Sequence, residues 1–122
     1  MRNALRVEAP VDAAASRTWV AAGSLSSGVG APLFSVKRGR AVVMVFPNRT
    51  DVLHAVHPHG HHVRLLDNLD DGWKPFWLDT VLVEARQTTR IAFVADNPGK
   101  WLIDCQRIGS DDATMAAWFE VT

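Results

Sequence analysis

The chain has 122 residues, enough for one domain with a sizeable core. Thirteen Lys and Arg balance thirteen Asp and Glu, which excludes the positive excess that non-specific nucleic-acid binding or a polybasic membrane surface needs. No apolar run reaches membrane-spanning length, and the single cysteine, Cys105, excludes an internal disulfide.

In chain order, residues 1–16 (MRNALRVEAPVDAAAS) show no clean period, and Pro10 breaks any helix. They read as a linker or poorly ordered lead-in to one domain over 17–122, without the apolar centre of a signal peptide. From Thr18 the pattern is β. Short strands are expected at 18–22 and 33–37, separated by a Gly/Ser loop over 23–30. The continuous apolar run 40–46 (RAVVMVF) predicts a strand buried on both faces. Asn48-Arg49-Thr50 matches a glycosylation sequon but is read as the turn that ends this strand. Strands follow at 52–53, 62–66 and 77–84, with a polar loop over 67–75 that carries Asp70, Asp71 and Trp73. Residues 88–95 alternate, with Ile91, Phe93 and Ala95 on one face. In Asp96-Asn97-Pro98-Gly99, proline and a positive-φ glycine predict a turn. Strands at 100–105 and 116–121 flank a polar excursion over 106–114 with room for a helical turn. About eight or nine short strands between turn signals predict an all-β sandwich or barrel.

All five histidines lie in nine residues, His54-Ala55-Val56-His57-Pro58-His59-Gly60-His61-His62. Imidazole is the commonest biological metal ligand, so the cluster points to a metal site. Cys105 on one strand and Met115 ten residues on, after a loop, have the arrangement of the C-terminal ligand loop of a blue-copper site. Such a site takes two histidines, one cysteine and a weak axial methionine. His54 is placed to supply the histidine from a distant strand.

From about Leu33 to Val121 the chain resembles the C-terminal cupredoxin domain of multicopper oxidases, the laccase-like group. The residues that carry the resemblance are the histidine stretch itself, Asp79-Thr80-Val81, and Ala95-Asp96-Asn97-Pro98-Gly99-Lys100-Trp101. The resemblance implies a cupredoxin-like Greek-key sandwich, copper as cofactor, and neighbouring cupredoxin domains, in a parent chain or a homo-oligomer, as partners. It implies an exported, periplasmic or otherwise extracytoplasmic, parent. It places His54, Cys105 and Met115 on type 1 copper ligands, and His57 and His59 on ligands of the trinuclear cluster that reduces dioxygen. His61 and His62 have no ligand role in the family pattern.

The departures are specific. The family has histidines on both sides of the cysteine, where this chain has Asp104 and Gln106; five residues beyond the cysteine, Ser110 replaces the second type 1 histidine. The resemblance therefore implies a degenerate ligand set, unable alone to build a dioxygen-reducing centre. Asp111, Asp112 or water remain as substitutes for the missing ligand. Each feature also has a plainer role: Cys105 as a small buried apolar residue, Met115 as core, His57 and His59 as a retained loop, and Trp73 and Trp77 as packing over the sandwich end in place of a substrate surface near the type 1 site. A run of histidines also binds Zn(II), Ni(II) or Cu(II) adventitiously at a surface. Two functions follow, a copper-binding remnant of an oxidoreductase or a structural module that has lost copper.

Overall fold

A computed structural model describes residues 4–12, 19–21, 31–66, 78–109 and 114–122 and shows an all-β molecule. Ten strands lie among the described residues: β1 (Leu5–Glu8), β2 (Val20–Ala21), β3 (Phe34–Val36), β4 (Ala41–Pro47), β5 (His54–Pro58), β6 (Arg64–Leu65), β7 (Val81–Val83), β8 (Thr88–Val94), β9 (Gly99–Arg107) and β10 (Met115–Val121). They form a four-stranded sheet in the order β1-β4-β8-β6 and a six-stranded sheet in the order β2-β10-β9-β5-β7, with β3 also paired to β10. Neighbours in each sheet are rarely neighbours in sequence, the crossing pattern of a Greek-key sandwich.

The apolar run of β4 is buried on both faces, as its composition predicts. Val42, Met44 and Phe46 enter the main core between the sheets, while Val43 and Val45 pack with Leu66 and Ala92 on the other side. β8 alternates as expected, with Ile91, Phe93 and Ala95 all in the main core. Trp19, Phe46, Phe93 and Phe119 are its largest fully buried side chains.

The stretch read as a lead-in contains β1, which pairs in parallel with β4. Val7, Ala9 and Val11 are core residues. Their period of two is interrupted in composition by Pro10, but not in geometry. The amides of Ala9 and Val11 donate to Val45 and Pro47 carbonyls at 2.8 Å each, and the missing N–H of Pro10 falls on the alternate, outward position of an edge strand. The Pro10 carbonyl accepts a 2.8 Å bond from the Trp19 indole.

Other boundaries shift by a few residues. β9 runs on through Arg107, so the described start of the 106–114 excursion is strand. Gly99 has the expected positive φ, 139°. Asn48 is buried and its side chain fully engaged, which fits a turn and not a glycosylation acceptor. The loops at 23–30 and 67–75, with Asp70, Asp71 and Trp73, lie outside the described residues, as do Trp77, Ser110, Asp111 and Asp112. Among the described residues no helix is long and apolar enough to cross a membrane.

Phe119 has no exposed surface and stacks on Phe34 at 5.0 Å between ring centroids. Phe119→Ala is expected to lower stability by about 3–5 kcal/mol, the usual range for deleting a buried aromatic ring, read from urea denaturation.

Candidate metal centre

The site is built on the antiparallel pairing of β5 with β9. Their register sets Val56 opposite Cys105 and His57 opposite Asp104. Side chains alternate across a sheet, so one pleat sends Val56, Ile103 and Cys105 into the core and the next sends His57 and Asp104 to the outer face. The burial of the two strands follows that alternation.

On the outer face His57, His59 and Asp104 come together. One ligand atom from each lies within 4.8 Å of the others. The His57 and His59 rings stack at 4.4 Å between centroids. His59 Nε2 donates to Asp104 Oδ2 at 2.7 Å, and the His59 amide continues the ladder beyond β5 by donating to the Leu102 carbonyl at 2.8 Å. The side chains of His59 and Asp104 are 38% and 32% exposed, partly desolvated but open on one side. Gln106 lies one pair further along the same face, opposite Ala55. Among the described residues this is the sole cluster of three or more His, Cys, Asp or Glu close enough to hold a metal ion.

On the inner face Cys105 stands directly across from Met115 of β10. His54 is opposite Arg107, two residues from Cys105 on the same pleat, a diagonal neighbour across the sheet. His54 is almost fully buried. Its Nδ1–H donates to the Val52 carbonyl at 2.9 Å, which leaves Nε2 with the lone pair, the arrangement metal-binding imidazoles commonly use. Beneath it Asn48 ties the segment together. Its amide donates to the carbonyls of Val52 at 2.9 Å and Val83 at 3.1 Å, and its oxygen accepts from the Thr50 amide and hydroxyl at 3.0 and 2.7 Å. Burial pushes the Cys105 thiol up to about 12, so it is a neutral, core-packed thiol unless a cation displaces its proton.

A clamp fixes the loop between the two faces. Gly60 has φ 78°, and a Cβ there would lie 2.5 Å from the Trp101 ring. Asn97 Nδ2 donates to the Gly60 carbonyl at 3.1 Å, and Trp101 Nε1 donates to the Asn97 carbonyl at 2.9 Å. The Asn97-Pro98-Gly99-Lys100-Trp101 motif therefore acts by holding the histidine loop. His61 packs among Phe93, Phe119 and Trp101. Its Nδ1–H donates to the His59 carbonyl at 3.3 Å, and burial lowers its pKa against the opposing pulls of that carbonyl and of Asp96. His62 is exposed and paired with Asp79, Nδ1 to Oδ1 at 2.5 Å. His61 and His62 also border a cleft of about 560 Å³ with Asp79 and Asp96.

The donor sets can now be weighed. His54, Cys105 and Met115 offer one nitrogen and two sulfurs, chemistry that suits copper, above all Cu(I). The outer face offers two imidazoles and a carboxylate, with an amide beside them where the resemblance calls for further imidazoles. That set does not fit a dioxygen-reducing copper cluster. Sequence reasoning treated Asp104 only as a lost histidine. The signal that brings it to the imidazoles is positional: it neighbours Cys105, which faces the core, so it faces outward toward His57.

A family model described as multicopper oxidase matches residues 4–122. The multicopper oxidase MmcO of Mycobacterium tuberculosis is 36% identical over 81 residues, which cover 66% of this chain and 16% of MmcO. The crystal structure of Lac15 from a marine microbial metagenome superposes with a TM-score of 0.75 at 30% identity, covering 97% of this chain and 27% of that one. The blue copper oxidase of Nitrosomonas europaea gives a TM-score of 0.59 at 27% identity over 74% of this chain and 30% of its own. The chain thus spans less than a third of each of these larger proteins.

Two outcomes follow from this geometry. Gly60→Ala adds both a strained φ and a clash with Trp101, and is expected to cost about 1–3 kcal/mol in urea denaturation. For Cys105 the folded state keeps a proton that the unfolded state, with a thiol pKa near about 8.5, has already released. Stability present at neutral pH is therefore lost as pH rises from the unfolded value toward the folded value of about 12. Denaturation midpoints at pH 7 and pH 10 should fall further for the wild-type chain than for Cys105→Ala.

Proposed function

The chain belongs to the multicopper oxidase family, and on that premise we propose that it is a C-terminal cupredoxin domain retaining a copper-binding remnant of an oxidoreductase. The retained set is His54, Cys105 and Met115. The observation that carries this reading is the direct pairing of Cys105 with Met115 across β9 and β10, with His54 on the same pleat. Copper bound there would supply one-electron redox chemistry. The chain's own residues do the rest. The Val52 carbonyl holds the His54 tautomer, Cys105 gives up its proton to become the thiolate ligand, and fully buried Val56 and Ile103 keep water from the sulfur.

The domain is not competent for dioxygen reduction alone. Asp104 and Gln106 stand in place of histidines, and His57 and His59 are the two imidazoles left on the outer face. In this reading the domain works beside other cupredoxin domains, of a longer parent chain or of neighbouring copies, and the intact parent is exported. The small share of its relatives that the chain spans supports a parent with further domains. A second reading, a structural module without copper, draws support from the neutral, buried state of the Cys105 thiol.

Anaerobic copper titration followed by air oxidation separates the two, with visible absorption and electron paramagnetic resonance as readouts. The copper reading predicts one equivalent bound and a thiolate-to-copper absorption band that Cys105→Ser abolishes. No stoichiometric copper at the cysteine would leave the structural module.

A further inference from the structure

We propose that His57, His59 and Asp104 form a separate site for a single divalent cation of the zinc(II) class, held by two imidazoles and one carboxylate on the outer face of the six-stranded sheet. This inference does not depend on copper at the inner face, because the sheet itself separates the two donor sets. Cys105 and Asp104 are adjacent in sequence and point to opposite sides, so neither sulfur can join the outer group.

Nuclearity follows from the donors. Three ligand atoms within 4.8 Å of one another need only small side-chain adjustments to close on one ion at bond lengths of about 2.0–2.2 Å. Among the described residues, the next polar group along this face is the neutral Gln106 amide, opposite Ala55, which is a poor ligand for a second ion. The character of the ion follows from the ligand types. Two imidazoles and a carboxylate suit zinc(II), cobalt(II) or iron(II), and with no sulfur in the set they hold Cu(I) poorly. Asp104, a loss when measured against a copper pair, completes a different and commoner ligand triad.

The cation takes the place of a proton. His59 Nε2 carries the hydrogen donated to Asp104 Oδ2 across 2.7 Å. On binding, the ion replaces the hydrogen on Nε2 and the neutral ring carries its hydrogen at Nδ1 instead, so both Nε2 and Oδ2 turn lone pairs to the ion. A tetrahedral site with bonds of about 2.0 Å sets its ligand atoms about 3.3 Å apart, so the pair opens by roughly half an ångström. Both side chains are partly exposed, which leaves them free to make that adjustment. The backbone beneath does not have to move, since β5 and β9 are paired through His57 and Asp104. Three protein ligands leave at least one position for water, the arrangement of a catalytic and not a structural zinc site.

The test is calorimetric titration of the metal-free chain with Zn(II), and with Co(II) followed by its visible absorption, in a Cys105→Ser background that removes the thiol as a competitor. Folding of each variant is checked by circular dichroism. One ion per chain is expected. Asp104→Ala and His59→Ala should each weaken binding by more than about tenfold, while His62→Ala leaves it unchanged. If Asp104→Ala folds and binds as well as its background, the carboxylate is not a ligand and the proposal fails. Binding lost in His62→Ala instead would assign the ion to the surface histidines. Should Asp104→Ala fail to fold, Asp104→Asn, which keeps shape and removes charge, replaces it and must show the same weakening. The copper outcome at Cys105 is read separately in the wild-type chain, so either proposal can fall without the other.

Discussion

The pairing of β5 with β9 is the constraint on which everything else in this molecule depends. Its register decides that Cys105 faces the core and Asp104 faces away from it. A slip of β9 by one residue would exchange them, burying a carboxylate beside Val56 and exposing the thiol together with Ile103. The register is held because one side is strongly apolar and completely covered, while the other carries polar groups that keep contact with solvent. The hydrophobic effect that assembles the sandwich thereby sorts the donor groups into a soft, dry set and a harder, wetter one.

Two smaller devices give that sorting its precision. Asn48 gathers the carbonyls of Val52 and Val83 and caps Thr50, so the chain entering β5 arrives in one conformation with the His54 ring oriented. At the other end Trp101 occupies the space next to Gly60, and Asn97 bonds to its carbonyl. A buried amide that satisfied several backbone groups would leave them costly to solvate if it were removed. The positive φ of Gly60 likewise restricts that position to glycine. The histidine stretch is thus anchored before and after its ligand residues, and the residues between have little freedom.

Much of this was legible in the chain. Alternation in 88–95 and the apolar run of 40–46 fixed two central strands, because periodicity reports directly on burial. The histidine cluster, Cys105 and Met115 pointed to the family, since those residue types are rare and their spacing is specific. β1 was not legible: Leu5, Val7, Ala9 and Val11 alternate, but alanines and Pro10 dilute the signal, and parallel pairing with β4 is a long-range event. Nor was the role of Asp104. Composition records a missing histidine; only the cross-strand register shows that a carboxylate at that point meets two imidazoles. The anchoring of Gly60 by Trp101 was equally hidden, because it joins residues 41 positions apart in sequence through shape alone.

The outer ligand group sits on the sheet and not within its core. His57, His59 and Asp104 lie on the outer face, away from the core cluster that holds Trp19, Phe46, Phe93 and Phe119. Substitutions at these positions therefore alter the donor groups on the surface while the core that holds the fold is unchanged. In evolutionary terms the domain is a scaffold on which metal preference can drift under weak constraint. A lineage that lost one cofactor would not first have to survive an unfolded intermediate before acquiring another.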